Sequence, residues 1–315
     1  MSRAAPAARR AATGLVALLA VPTLAGFLDR LSWLFEPASF FRLQYAVLLG
    51  AAGVAALALR RAGLAAVAVA LAAVDLAAIA QWHAPRNPVA PPGAPTVRIV
   101  AFNVDGGNRR YGELAPLIER LRPDILGLTE LTPPWARAAA AASPTVRPRR
   151  LVPQRDVYGM GLLSIDPPAS VEVRRFPAGG PIALVARFDV AGRALTFVLV
   201  HVHTPFAGSV HERELRALAD TRPRLGRRLV VCGDFNTVPW SAQLRAFADA
   251  AGLRDSHSGS WPAYSWPSWS PLLRVPLDHC LVGDGVSVRR HAFGPSGGSD
   301  HFPLVVDLAL TDLDG

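Results

Sequence analysis

Lysine is absent from this 315-residue chain: all 33 basic residues are arginine, set against 24 acidic ones for a formal net charge of +9. With so much alanine beside it, all-arginine usage reads as a compositional bias of the coding sequence. It does not read as a nucleic-acid footprint. Arginine still offers bidentate contacts to phosphate, so an anionic lipid or phosphate ligand stays open. Cysteine occurs twice, at Cys232 and Cys280. That excludes a disulfide framework of the secreted mini-protein kind, and no Cys/His spacing suits zinc. Both cysteines lie in apolar strand-like runs, where they are expected as free thiols packed as small hydrophobes, because adjacent core strands seldom meet the geometry of a disulfide.

Long apolar runs are plentiful, and they are confined to one end. Mean hydropathy is +0.26, high for a soluble enzyme, and the excess lies in the first eighty or so residues. Three stretches stand out: Ala11 to Leu28 after Arg9-Arg10, Leu43 to Leu59 closed by Arg60-Arg61, and Ala62 to Trp82. A bilayer core takes about 20 apolar residues, with a lower limit of about 17, so residues 1–83 are expected to form a membrane anchor of three transmembrane helices. A cleaved signal peptide is the other reading of the first stretch, although its end lacks a small-x-small pattern. With both arginine clusters cytoplasmic, the loop Asp29 to Arg42 is external, and Trp33, Phe35, Phe40 and Phe41 in it suit a membrane interface. An odd number of spans then puts everything after Trp82 outside the cytoplasm. Asp75, about 10 Å of helical rise from Trp82, is expected to be structural. The proline-rich linker 84–96 favours an extended conformation that spaces the next domain off the membrane.

From residue 97 to 312 short apolar runs alternate with helical patterns, as in an α/β domain. Val97 to Phe102 is a strand ending at Asn103, Ile125 to Thr129 one ending at Glu130, and Leu229 to Cys232 one leading to Asp234. Ile182 to Phe188 and Leu195 to Val202 form a hairpin-like pair. Leu277 to Val282 and Val305 to Leu310 close the domain, with helices expected over Gly112–Leu121, His211–Leu218 and Gln243–Ala251. Every candidate site residue thus falls at a strand end, where polar groups collect in α/β folds. Carboxylates, amides and imidazoles around one mouth suit phosphoester cleavage, which needs a metal-holding acid, a group to orient water and donors for phosphate oxygens.

The set Phe102-Asn103-Val104 with Asn108, Leu128-Thr129-Glu130, Val202-His203-Thr204, Gly233-Asp234-Phe235-Asn236, Leu277-Asp278-His279 and Ser299-Asp300-His301, with Gly159 to Ser164 between them, resembles the endonuclease/exonuclease/phosphatase superfamily, whose members include DNase I-like nucleases. The three-span anchor, Trp261-Pro262-Ala263 and the Leu277-Asp278-His279 form look most like its VanJ-type membrane phosphoesterases. The resemblance implies a four-layer αββα sandwich and dependence on Mg²⁺, with Mn²⁺ as a possible substitute. It implies Glu130 as principal metal ligand with Asn103 and Asp300, and Asp234 as the group that orients or deprotonates water. Asn236 would donate to phosphoryl oxygens, His203 and His301 would stabilise charge at phosphorus, and Asp278 would fix the tautomer of His301.

Plainer readings stand beside these roles. Asn103 also suits a strand-to-turn transition and Glu130 a helix start. His201 and His203 share a strand face, so either is the site histidine, with His203 preferred because Thr204-Pro205 follows it. Asn108, His279 and Asp156, the last as a brace for His203, are candidates for supporting positions, and His257 and His291 read as surface residues. Trp261, Tyr264, Trp266 and Trp269 lie in a proline-rich loop that cannot be a regular helix or central strand. They are either an irregular loop packed on the core or an amphipathic rim for a bilayer or lipid chain; base stacking is the competing use. The whole reads as a membrane-tethered, extracytoplasmic phosphoesterase acting on a phospholipid or polyprenyl diphosphate. An extracytoplasmic endonuclease and a non-catalytic membrane-anchored binding protein are the alternatives. Nucleic acid is the less favoured partner, and no protein partner is indicated.

Overall fold

The computed structural model describes residues 4–82, 87–257 and 264–313. The N-terminal part consists of α1 (Ala4–Ala25), a short α2 (Glu36–Ser39), α3 (Arg42–Ala58) and α4 (Ala62–Ala80). Two helices, over Pro6–Ala25 and Ala62–Ala80, are long and apolar enough to cross a membrane. A third qualifies if α3 is joined to the bent segment Trp33–Ser39, which meets it at 57°. Ala46, Ala52, Ala65, Ala68 and Ala72 are buried where the helices meet, the small-residue packing that lets apolar helices approach closely. The Arg61 guanidinium donates to Arg9 O at 3.3 Å and Thr13 Oγ1 at 2.6 Å, so both arginine clusters sit at one end of the bundle. At the other end Asp75 accepts from Arg42 and from Thr23, each at 2.8 Å, and all three residues are buried.

The remaining described residues form two six-stranded sheets. The first runs β11 (Val286–Phe293), β12 (Leu304–Leu310), β1 (Thr96–Asn103), β2 (Ile125–Thr129), β4 (Met160–Ser164), β3 (Arg147–Val152). The second runs β5 (Ser170–Arg175), β6 (Ile182–Val190), β7 (Arg193–His201), β8 (Leu229–Asp234), β10 (Asp278–Val282), β9 (Arg254–Asp255). Ile99, Leu162, Leu184, Phe197, Leu199 and Val306 fill the space between the sheets. At Gly127 the sheets approach so closely that a Cβ would lie 2.6 Å from Leu199 Cδ1. The outer face of the first sheet is covered by α5 (Leu114–Leu121) and α6 (Pro133–Ala141), that of the second by α7 (Ser209–Asp220) and α8 (Ala242–Ala251). Each helix buries an apolar stripe, such as Leu215 and Leu218 of α7, as a helix on a sheet must. The result is the expected four-layer αββα sandwich.

The strands at the sheet edges escape the sequence pattern. β3 is Arg-Pro-Arg-Arg-Leu-Val and β5 Ser-Val-Glu-Val-Arg-Arg; an edge strand needs one neighbour and a half-buried face, so no apolar run betrays it.

Several expectations are corrected here. Cys232 and Cys280 are joined in a disulfide with a Cα–Cα distance of 4.1 Å. They are register partners on the antiparallel pair β8 and β10, and direct opposition with both side chains facing the inter-sheet core brings the sulfurs together. The linker also does not hold the domain away from the helices. The loop between α1 and α3 docks on the two-sheet domain: Phe40 is buried with Val238, Trp240, Val275 and Leu277, with Phe41 packed alongside, and Trp33 lies against Gly208. These aromatics serve a protein interface because the domain's own loop offers an apolar surface at that level. His83 and Ala84–Arg86 lie outside the described residues. His257 is buried, its ring 5.0 Å from that of His291, which corrects its placement on the surface.

Candidate active site at the strand ends

Register gathers the site. Across the second sheet His201, Asp234 and Asp278 are neighbours: His201 pairs with Asp234 in the parallel ladder of β7 and β8, and Asp234 with Asp278 in the antiparallel ladder of β8 and β10. From the first sheet come Asn103, the last residue of β1, and Glu130, the residue after β2. Side-chain period two points Asp234 and Asp278 the same way as the disulfide beneath them. Gly233 has φ +143, and a Cβ there would fall 1.9 Å from Val200 O, so glycine alone fits before Asp234.

Asn103 bridges the sheets, its Nδ2 donating to Glu130 Oε1 at 3.0 Å and Asp234 Oδ2 at 3.1 Å. Glu130 Oε2 accepts from Gly106 N at 2.9 Å. Asp234 Oδ1 accepts from Asn236 N at 2.8 Å, and Asn236 Nδ2 donates to Val202 O at 2.9 Å. Burial, then the charge of Asp278, pushes the Asp234 carboxyl above its ordinary range, while His301 and His201 pull it back. Their Nε2 atoms each lie 3.7 Å from Asp234 Oδ2.

His301 Nδ1 is 2.7 Å from Asp278 Oδ2. Burial opposes its charge, but Asp278 and Asp234 outweigh burial and lift it to about 10, so His301 is an imidazolium at neutral pH. Ligand atoms of Asp234, Asp278 and His301 all lie within 4.8 Å of one another, a spacing open to an ion. Here the imidazolium already supplies the positive charge.

A further carboxylate, Glu130, lies on the other side of Asn103, and its field reaches Asp105. Burial raises the Asp105 carboxyl, and the charges of Asp300 and Glu130 raise it further. Among the described residues no arginine is paired with any of the three; the nearest cation is His301 Nε2, 3.9 Å from Asp300 Oδ1. Carboxylates short of positive charge suit a hard, oxygen-bound divalent ion.

His203 and His201 part company. The His201 ring is buried with Nδ1 2.9 Å from Val157 O, beside Asp234. His203 lines a cavity of about 470 Å³, and its Nδ1 lies 2.6 Å from Glu214 Oε1. The brace is therefore Glu214; Asp156 instead accepts from Tyr158 N at 3.0 Å, since its short side chain is used in that turn. Tyr158, on which no motif bears, stacks 4.5 Å from the His203 ring and 5.4 Å from that of His201. Burial, with Glu214, Asp156, Glu130 and Asp234 around it, raises its hydroxyl to about 12. Asp105 and Glu214 were equally invisible, because nothing local sets them apart from ordinary turn and helix carboxylates.

Asn108 supports a turn: its Oδ1 accepts from Arg110 N and its carbonyl from Trp135 Nε1. His279 is buried between Asp255 and Thr237 O, each 2.9 Å away. Trp266 donates to Asp300 Oδ2 at 2.9 Å and packs into the fold. Tyr264 is half-buried, Trp269 is 68% exposed, and Trp261 lies outside the described residues.

A two-sheet sandwich with this strand-end cluster is a phosphoester-hydrolase scaffold. The family described as Endonuclease/Exonuclease/phosphatase matches residues 100–301, and the chain belongs to it. No curated protein sequence matches the chain. Solved structures share the fold at low identity. D. rerio TDP2 complexed with single strand DNA product is 18% identical, with 68% of this chain and 98% of that one covered at a TM-score of 0.59. The Bacteroides thetaiotaomicron mannosyl-6-phosphatase is 17% identical, with 68% and 100% covered at 0.58. The human Nocturnin catalytic domain is 19% identical, with 69% and 96% covered at 0.54.

Proposed function

We propose that this protein is a membrane-tethered, divalent-metal-dependent phosphoesterase whose substrate is a lipid-linked phosphate or diphosphate of the bilayer that holds it. One observation carries the reading. The loop from Trp266 to Arg274 is tied at one end to the site, through Trp266 Nε1 to Asp300 Oδ2 and Ser268 N to Asp300 O at 2.7 Å. At the other end Leu272 O and Arg274 O accept from Gln44 Nε2 at 3.2 and 3.0 Å, and Gln44 is in the first turn of α3. Trp269 and Leu272 on that loop, Phe206 beside α7 and Leu31 and Leu34 of the anchor loop are all more than 60% exposed. Such an apolar fringe at the end of a span suits the lipid interface, and a site held there favours a substrate with its phosphate at the bilayer surface.

In this reading Glu130, with Asn103, Asp105 and Asp300, holds Mg²⁺ or Mn²⁺, which when bound neutralises phosphate oxygens. Asp234 orients the attacking water. His301 meets the developing phosphoryl charge as an imidazolium held by Asp278, and Asn236 lends its amide to the same oxygens. His203, with Nδ1 fixed by Glu214, presents its other ring nitrogen to the leaving oxygen as general acid. We read the three-span anchor and the Leu277-Asp278-His279 form as those of a VanJ-type phosphoesterase. An extracytoplasmic site is supported by the disulfide, which persists in oxidising compartments, and by arginine clusters at the bundle end away from the catalytic domain.

The test is purified full-length protein in detergent with Mg²⁺, offered phospholipids, polyprenyl diphosphate, a soluble sugar phosphate and DNA. Turnover confined to the lipid phosphates supports the proposal; preference for DNA or the sugar phosphate overturns it.

A further inference from the structure

The membrane anchor contributes a charged residue to the support of the active site. Glu36, from the loop between α1 and α3, has no exposed surface. Its Oε1 accepts from Ser241 Oγ at 2.7 Å and from the hydroxyl of Thr237. Thr237 follows Asn236, and its carbonyl is held from the other side by His279 Nε2. The same Glu36 oxygen lies 3.6 Å from His211 Nε2. The His211 ring is fully buried, and its Nδ1 is 2.6 Å from His203 O; a carbonyl only accepts, so Nδ1 carries the proton. His211 Nε2 and Glu36 Oε2 have no hydrogen-bond partner among the described residues.

One buried carboxylate thus touches the supports of two strand-end loops, that of Asn236 and that of His203. A contact meant only to fasten the domain to its helices would be cheaper if apolar, since burying a carboxylate against two hydroxyls and an imidazole 3.6 Å away carries a desolvation cost. The fastening is present separately, in the packing of Phe40 against Val238 and Trp240, the bond from Trp240 Nε1 to Ser39 O at 2.7 Å and that from Ala242 N to Asp29 Oδ2 at 2.8 Å.

We propose that Glu36 is a positioning residue for the catalytic centre, fixing Asn236 through Thr237 and His203 through His211, so that catalysis depends on a seated membrane anchor. This rests on the phosphoesterase reading above. The experiment uses the full chain in detergent micelles, a p-nitrophenyl phosphodiester with Mg²⁺, and NMR of histidine-labelled protein. Glu36→Gln keeps the volume and removes the charge. Because misplacement by about 1 Å costs on the order of 100-fold, kcat should fall about 10- to 100-fold with KM within about twofold of the parent. The ring signals of His203, which Glu36 does not touch, should shift with those of His211. Asp29→Asn, in the same interface but bonded to neither Thr237 nor His211, should leave kcat and the His203 signals unchanged. If Glu36→Gln does not fold, Thr237→Val breaks the contact to the Asn236 loop alone, and a fall in kcat of about 10- to 100-fold is expected there with the His203 signals unmoved. Parent-like kcat with unmoved His203 signals overturns the proposal. If the parent protein hydrolyses neither this phosphodiester nor any lipid phosphate, the phosphoesterase reading fails, and the His203 signals alone decide whether Glu36 reaches that loop.

Discussion

Cys232 and Cys280 are bonded across β8 and β10 directly beneath Asp234 and Asp278, one side-chain step deeper in the same antiparallel ladder. The disulfide pins the two strands whose ends carry Asp234 and the partner of His301. Rigid support of this kind is what a charged, buried cluster needs to hold its geometry.

Removing the bond should therefore cost stability. It spans 48 residues of chain, for which loop-closure entropy gives about 4 kcal/mol. Cys232→Ala with Cys280→Ala should lower the unfolding midpoint, and alkylation of the unreduced, denatured parent should modify neither cysteine. Two alkylated cysteines would sink the assignment.

Metal dependence should run through Glu130. Glu130→Gln keeps the shape but removes the negative charge, and its single carbonyl oxygen can accept from only one of Asn103 and Gly106, so turnover should drop about 100-fold or more, and EDTA should abolish activity in the parent. An undiminished Glu130→Gln rate, or turnover indifferent to EDTA, removes Mg²⁺ from the scheme.

The two strand-end histidines should separate. His203→Ala should lose about 10²–10⁴-fold in kcat if it protonates the leaving oxygen, and Glu214→Gln, which loosens the ring, should lose less. His201→Ala should chiefly reduce stability, since its ring is buried beside Asp234. Equal sensitivity of all three sites would mean that neither histidine is the acid.

His301 gives the pH signature. Its value in the folded protein, about 10, lies above the ordinary 6.5, so its pairing contributes stability that is fully present below pH 6.5 and is lost as pH rises through about 10. Asp278→Asn removes the partner and should flatten that decline. Unfolding midpoints measured in EDTA across this window decide the matter; parallel curves for the two proteins would refute the pairing.

Topology is open to a direct reading. With Arg9, Arg10, Arg60 and Arg61 cytoplasmic, alkaline phosphatase fused after Gly315 should be active and a cytoplasm-only fluorescent fusion dark. The reverse pattern would reverse the sidedness on which the lipid substrate depends.

Local chemistry sufficed for much of this molecule. Apolar runs of membrane length ending at arginine pairs define the helices, because a bilayer tolerates little else. Central strands such as Leu229 to Cys232 show themselves because both faces are buried, and Asn103, Glu130, Asp234, Asp278 and His301 are legible because each sits where such a run stops. Only the tertiary structure decided what depends on partners distant in sequence. Register, not spacing, joined Cys232 to Cys280. Packing gave His203 to Glu214 rather than Asp156 and drew Asp105 toward Asp300 and Glu130. Docking turned an aromatic loop read as membrane interface into a protein interface that buries Glu36 beside Thr237. None of these pairings leaves a mark in the sequence, because each is fixed by how the sheets and helices meet once they have formed.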